Sequence, residues 1–234
     1  MRIPGAVALV TGANRGLGAA YVQALLDRGA AKVYAGVRDT STVTDPRVTA
    51  LHLDVTDDAT IAAAVRRAGD VTLLVNNAGI GSLEPVLGSD AELRRLMDVN
   101  YFGLIAVSRA FAPVLAANGG GVVANVLSDL SWRGSSFLGG YAATKSAAWS
   151  ATNSTRLDLA GQGTQVVAVH AGYIDTDLTA AVDVPKLAPS RVANETLDGI
   201  EKGAHEVVVG EPAREAKAAP AKSVTDAYPQ LVGS

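Results

Sequence analysis

Short continuous apolar runs alternate along this chain with longer stretches in which apolar residues recur at helical spacing. The runs are Ala6–Val10, Ala31–Val37, Val48–Leu53, Val71–Val75, Val122–Leu127, Val166–His170 and Glu206–Val209. Few polar residues interrupt them, which predicts strands covered on both faces, as in a parallel sheet. Helices are predicted over Leu17–Arg28, Ala59–Ala68, Ser89 to about Asn118, Gly140–Gly161 and Arg191–Lys202. Gly29 and Gly69 stop the first two. Ser89 is the expected N-cap of the third, with Glu92 as its capping-box partner, and Pro113 is expected to bend it.

Strand and helix alternating in this way predict one α/β domain with a doubly wound sheet. It spans residues 1–210 and includes a flap over residues 174–190. Residues 211–234, rich in Ala, Pro and Lys, predict a fraying helix and then a loose extension. The nine residues from Asp39 to Arg47 hold Pro46 and several threonines, which leaves room only for a short turn or broken helix.

Composition narrows the function classes. Of 234 residues, 48% are hydrophobic and 18% charged, which excludes general disorder. A net charge of −3 without a long basic run gives no reason to expect nucleic acid. There is no cysteine, and the three histidines (His52, His170, His205) are scattered, so no metal site is expected. The N-terminus lacks a signal peptide's apolar core, and no stretch approaches the ~20 apolar residues of a membrane span. The expectation is a cytoplasmic protein with no membrane partner.

Four motifs carry chemistry, each at the end of a predicted strand. The first is T-G-A-N-R-G-L-G, Thr11 to Gly18, between a strand and a helix. Glycines there let backbone N–H groups approach a phosphate, and the helix N-terminus adds free donors and a positive dipole end. The second is N-N-A-G, Asn76 to Gly79. The third is Ser128, closing the fifth apolar run. The fourth is Y-A-A-T-K, in which Tyr141 and Lys145 are four apart and share one helix face. A lysine ammonium beside a phenol favours the phenolate, so the pair is expected to lower the Tyr141 pKa and serve acid–base chemistry at an oxygen. Taken alone, the Tyr–Lys spacing equally describes a surface pair.

The four motifs in this order, from about Ala6 to Gly210, resemble the short-chain dehydrogenase/reductase family. The resemblance implies a Rossmann-like sheet of seven strands, ordered 3-2-1-4-5-6-7, binding NAD or NADP at its C-terminal edge. It implies that Tyr141 gives a proton to a carbonyl oxygen as hydride arrives, and that Lys145 lowers the Tyr141 pKa and bonds the nicotinamide ribose. It implies that Ser128 holds the carbonyl oxygen, and that Asn100, in M-D-V-N-Y, bends its helix and supports a water relay to the lysine. Gly12, Asn14, Arg15, Gly16, Leu17 and Gly18 would cradle the cofactor. Asp54 and Val55 would flank the adenine, and Asn76, Ala78 and Gly79 would line the adenosine-ribose side and brace the sheet. Gly172, Ile174 and Thr176 would meet the nicotinamide. The family's usual Pro-Gly after the sixth strand is here Ala171-Gly172, preceded by His170, which predicts a looser turn there and a packed or solvated histidine.

Cofactor choice turns on the end of the second strand. Gly36 and Val37 stand there without a carboxylate, and Arg38 follows. Arg38 and Arg15 resemble the pair with which NADP-preferring members of the family hold a 2′-phosphate. NADP(H) is therefore expected ahead of NAD(H), unless Asp39 turns toward the ribose. The predicted substrate walls are Ile80–Leu83, Leu130–Leu138 and Tyr173–Val184, with Trp132, Phe137, Tyr173, Leu178 and Val182 predicting a small apolar ketone or aldehyde and its alcohol. Arg133 is the one cation nearby. Two other readings are a nucleotide sensor and a halohydrin dehalogenase-like enzyme. The sensor would lose Tyr141 or Lys145, and the dehalogenase would want an arginine at position 145 and a degraded glycine motif. Small apolar residues on two helices (Ala142, Ala143, Ala147, Ala148, Trp149, Ala151) predict a homodimer or homotetramer.

Overall fold

The computed structural model describes residues 1–228 and 231. Seven strands form one parallel sheet: β1 (Val7–Thr11), β2 (Lys32–Val37), β3 (Val48–His52), β4 (Leu73–Asn76), β5 (Gly121–Val126), β6 (Thr164–Ala171) and β7 (Glu206–Val209). Their order is β3-β2-β1-β4-β5-β6-β7. The chain reverses direction across the sheet between β1 and β4, and this switch point opens a crevice at the C-terminal strand ends.

Helices cover both faces. On one lie α1 (Gly16–Asp27) and α6 (Pro189–Glu201), where Tyr21, Leu25, Leu197 and Ile200 are buried against β1, β4 and β6. The Tyr21 hydroxyl and the Thr196 hydroxyl, 2.9 Å apart, join the two helices inside that layer. On the other face lie α2 (Asp58–Arg67), α3 (Asp90–Met97), α4 (Leu104–Ala117) and α5 (Gly139–Asp158). Ile61, Val107, Phe111 and Leu115 fill the core there. Each such side chain, fully buried, contributes about 1.5–3 kcal/mol.

Several expectations change. The long third helix is three segments, because Asp98–Gly103 forms a π-helical turn between α3 and α4. Ser89 does cap α3, accepting from the Glu92 N–H at 3.4 Å. The Ser89 N–H, however, goes to the Glu84 carboxylate, and Glu92 is occupied by Arg95 at 2.7 Å. The helical run Asp90–Ala117 is long and apolar enough to cross a membrane by length and composition, but Leu104, Val107, Phe111 and Leu115 are buried in the fold. The stretch after Arg38 is a 3-10 turn, Thr40–Thr42, as its length required.

β6 does not loosen where the usual Pro-Gly is missing. It runs on through Ala171, which pairs with Val209 of β7. A proline could not donate to that ladder, whereas His170 and Ala171 can. The C-terminal extension is not loose over its described part. It forms α7 (Glu211–Ala218) and a short α8 (Val224–Ala227), and the Tyr228 hydroxyl accepts the Gly134 N–H at 2.7 Å. Residues 229, 230 and 232–234 of the extension lie outside the described residues.

Candidate active site

A cleft of about 1540 Å³ runs along the C-terminal edge of the sheet. One half is built by the glycine loop. Gly12 has φ 64°, and a side chain there would press on Ala78. A Cβ on Gly18 would collide with the Gly12 carbonyl oxygen and crowd the Asn77 amide. The tight turn thus brings β1, α1 and the β4 end together. The N-terminus of α1 has no side-chain cap and no acidic residue in its first turn, so its free N–H groups face the cleft as a phosphate would require. Asn14, Arg15, Gly16 and Leu17 line this end with Asp54, Val55, Ala78 and Gly79.

Arg38 lines the same end, and its guanidinium makes no hydrogen bond among the described residues. Asp39 is committed elsewhere. Its carboxylate caps the 3-10 turn, accepting from the Ser41 hydroxyl at 2.7 Å and the Ser41 N–H at 3.0 Å. Those two bonds hold the Asp39 pKa below the usual carboxylate range. Arg15 is paired with Asp177 of the flap at 2.9 Å, both side chains being largely exposed. It therefore bridges the two banks of the cleft instead of standing beside Arg38.

The other half holds Ser128, Tyr141 and Lys145. Ser128, two residues past the end of β5, caps a 3-10 turn, Asp129–Ser131; its hydroxyl accepts from the Leu130 N–H at 3.1 Å and donates to the Asp129 carboxylate at 3.0 Å. Lys145, buried in α5, donates to the Val126 carbonyl at 2.9 Å. Burial pulls its pKa down to about 8. The expected lowering of the Tyr141 pKa is not found. Burial pushes the phenol well above its ordinary value, the Ser128 hydroxyl offsets part of this, and the Asp129 carboxylate adds to it. The Lys145 ammonium stands 5.5 Å from the Tyr141 ring centroid, with its hydrogen bond spent on backbone.

Asn100 lies in the π-helical turn, 1% exposed. Its amide clamps Ile80, accepting from the N–H and donating to the carbonyl, both at 2.9 Å, and donates to the Thr144 hydroxyl at 3.1 Å. The widened turn lets the side chain reach the β4 loop and α5 together.

The short chain dehydrogenase family matches residues 6–186. A sorbitol dehydrogenase of Cereibacter sphaeroides is 36% identical over 194 residues, covering 78% of this chain and 76% of its own. A 3-alpha-(or 20-beta)-hydroxysteroid dehydrogenase of Mycobacterium bovis is 35% identical over 206 residues, covering 82% of this chain and 78% of its own. A crystal structure of a short chain dehydrogenase from Burkholderia cenocepacia in complex with NADP matches with a TM-score of 0.94 and 42% identity over 100% of both chains. The chain belongs to the short-chain dehydrogenase/reductase family. It is an oxidoreductase of CH–OH groups that works with NAD(P).

Among the sequence-predicted residues, Gly172, Ile174 and Thr176 line the cleft. Asn76 does not line the cleft. It is buried in β4, donating to Ser108 and to Asn125 of β5, both at 2.8 Å, so it braces the sheet only. Asn77, the first residue beyond the strand end, is the one that reaches the cleft. Asn77 ties the β4 end to β1, donating to the Thr11 carbonyl at 2.9 Å and the Gly12 carbonyl at 3.2 Å. Trp132 and Phe137 are also not among the lining residues. Trp132 stacks on His170 at 3.8 Å, and Phe137 is exposed. Arg133 does not simply face water, since it pairs with the buried Asp129 carboxylate at 2.5 Å.

Sequence reasoning missed Asp129, Asn77 and the structural part of His170. His170 is fully buried and its Nδ1 lies 2.9 Å from the Ser128 carbonyl oxygen. A carbonyl oxygen only accepts, so Nδ1 carries the proton and braces the serine turn from behind. Burial lowers the His170 pKa to about 4.

Proposed function

We propose that the protein is an NADP(H)-dependent carbonyl reductase and alcohol dehydrogenase for a small or medium substrate of largely apolar body. The observation that carries this reading is one continuous cleft. It joins the uncapped N-terminus of α1 and the free Arg38 guanidinium at one end to Tyr141, Ser128 and Lys145 at the other. NADP(H) supplies or accepts the hydride when bound.

The chain's own residues do the rest. The Ser128 hydroxyl turns from Asp129 to hold the reacting oxygen. In reduction the Tyr141 phenol gives that oxygen its proton; in oxidation the phenolate takes it back. The Lys145 ammonium would bond the ribose of a bound cofactor and, turned from the Val126 carbonyl, would favour the phenolate. Asn100 fixes the distance between the Ile80 loop and α5. Leu83, Leu130, Leu138, Tyr173, Leu178 and Val182 supply an apolar wall. Arg38 bonds the 2′-phosphate, while Asp39 stays on Ser41. The relatives named above act on a polyol and on steroids, which is consistent with a secondary alcohol or ketone as the reacting group.

The test is spectrophotometric. Secondary alcohols and ketones are screened with both cofactors in both directions, and turnover faster with NADP(H) is the expected result. No turnover of any alcohol or ketone with either cofactor would refute the reading.

A further inference from the structure

Beside the catalytic serine the cleft carries a charged pair that proton and hydride transfer do not use. Asp129 is 6% exposed, yet its carboxylate lines the cleft. Each of its oxygens has one partner: Oδ1 takes the Ser128 hydroxyl at 3.0 Å, and Oδ2 takes Arg133 at 2.5 Å. A carboxylate has about four acceptor sites, so two remain. Arg133 spends one N–H on Asp129 and makes no other hydrogen bond among the described residues, although it too lines the cleft. Beside it stands Gly172, where an added Cβ would lie 4.0 Å from Asp129 Oδ2, at ordinary contact distance, so the side-chain-free position leaves that much room next to the carboxylate.

We propose that Asp129, neutralised by Arg133, is a specificity-determining subsite for a second hydroxyl on the carbon next to the reacting one. The preferred substrate is then a vicinal diol and its α-hydroxy ketone. This rests on the oxidoreductase reading above and narrows its substrate class.

The geometry sets the spacing. The reacting oxygen sits within hydrogen-bond distance of the Ser128 hydroxyl. Asp129 Oδ1 lies 3.0 Å from that hydroxyl. The two oxygens of a gauche vicinal diol stand about as far apart as hydrogen-bonded oxygens, roughly 2.8 Å. One oxygen on Ser128 therefore places its neighbour on the Asp129 carboxylate, which accepts its proton. That bond also replaces the Ser128 hydroxyl on Oδ1 and frees it to turn to the reacting oxygen. A substrate with only one oxygen leaves the spare acceptor sites of a buried carboxylate covered and unpaired, and such sites discriminate strongly against the analogue that lacks the group. Arg133 holds the local charge near neutral, so the subsite favours a hydroxyl over an anion.

The test compares matched alcohols, cyclohexanol against cis- and trans-1,2-cyclohexanediol, with NADP+ and NAD+. In the unmutated enzyme, kcat/KM for the better diol is expected to exceed that for cyclohexanol by at least roughly tenfold. In Asp129→Ala the ratio is expected to fall close to one, whatever the absolute rate. If circular dichroism shows that this variant does not fold, Asp129→Asn is read instead, and its ratio is expected to fall as well. A ratio near one in the unmutated enzyme, or an unchanged ratio in the folded variant, overturns the subsite while cyclohexanol turnover leaves the oxidoreductase reading standing. Turnover of none of the three alcohols, with ketones reduced normally, also overturns the subsite. If no alcohol or ketone reacts, both readings fall.

Discussion

The Lys145 ammonium donates to the Val126 carbonyl at 2.9 Å and lies 5.5 Å from the centroid of the Tyr141 ring. The site therefore holds its lysine on β5 and its tyrosine as a neutral phenol. Burial beside Tyr141 desolvates the lysine's positive charge.

That desolvation has a measurable cost. The unfolded lysine keeps its proton up to about 10.5 and the folded one only to about 8. Between those values the unfolded state binds more protons, so stability rises with pH through this window, and the penalty is complete below about 8. Lys145→Met, free of cofactor, is expected to be more stable than the unmutated protein at pH 7. The gain is up to roughly 3 kcal/mol, less whatever the bond to Val126 contributes. It should shrink toward pH 10.5 in denaturant titrations. A variant less stable at pH 7 would show that the Val126 bond outweighs desolvation.

Tyr141→Phe removes the proton donor and leaves the cleft's shape intact. Turnover is expected to fall by about 10²–10⁴-fold, with cofactor affinity, read by fluorescence titration, nearly unchanged. Near-normal turnover would remove Tyr141 from the chemistry.

Arg38→Ala is expected to lower kcat/KM for NADPH by roughly ten- to a hundredfold, the size of one or two charge-assisted bonds, and to affect NADH little. Asp39→Ala should leave both cofactors within about a factor of two, since its carboxylate is spent on Ser41 at the surface. Steady-state kinetics with the two cofactors decides. A large NADH effect in Asp39→Ala would restore Asp39 to the ribose.

His170 gives a second pH signature, in the acid range. Its folded pKa is about 4 against 6.5 unfolded. The unfolded state thus binds more protons between those values, and stability is lost as pH falls from 6.5 toward 4. His170→Leu should flatten that slope in urea titrations. It should also lower turnover, because the Ser128 carbonyl loses its donor.

Assembly is expected through α4 and α5. Phe102, 55% exposed, and Leu157, 79% exposed, lie at the α4–α5 side of the molecule, with Ala143 also outward. Ala142 and Ala148, which the sequence placed on the same face, are buried within the fold. Sedimentation velocity at micromolar concentration should find a dimer or tetramer, and a monomer would overturn this.

What could be read from the sequence follows from how far each contact reaches along the chain. Apolar runs mark strands locally, so the strands were legible, whereas their order and the switch point followed from the family resemblance. Tyr141 and Lys145 share one helix turn, and Ser128 follows a strand, so these were legible too. Asn76 is the last residue of β4 and Asn77 the first of the loop beyond it, so a single-residue ambiguity in where the strand ends decides which of them meets the cleft. The pairing of Arg15 with Asp177 and the bond from His170 to Ser128 join residues far apart in sequence. No local pattern encodes either. The π-helical turn arises from the amide of Asn100 reaching Ile80 and Thr144, again a tertiary event.

The hydrogen bond from Gly134 to Tyr228 spans 94 residues and ties a cleft-lining loop to the last part of the fold. Gly134 itself has no side chain to vary, but its position depends on a residue that makes no contact with Ser128, Tyr141 or Lys145. The residues leading to Tyr228, from Ala221 to Asp226, are exposed, and such surface stretches tolerate change easily. A lineage can therefore retune which alcohols fit by substitutions around Tyr228, leaving the reacting groups untouched.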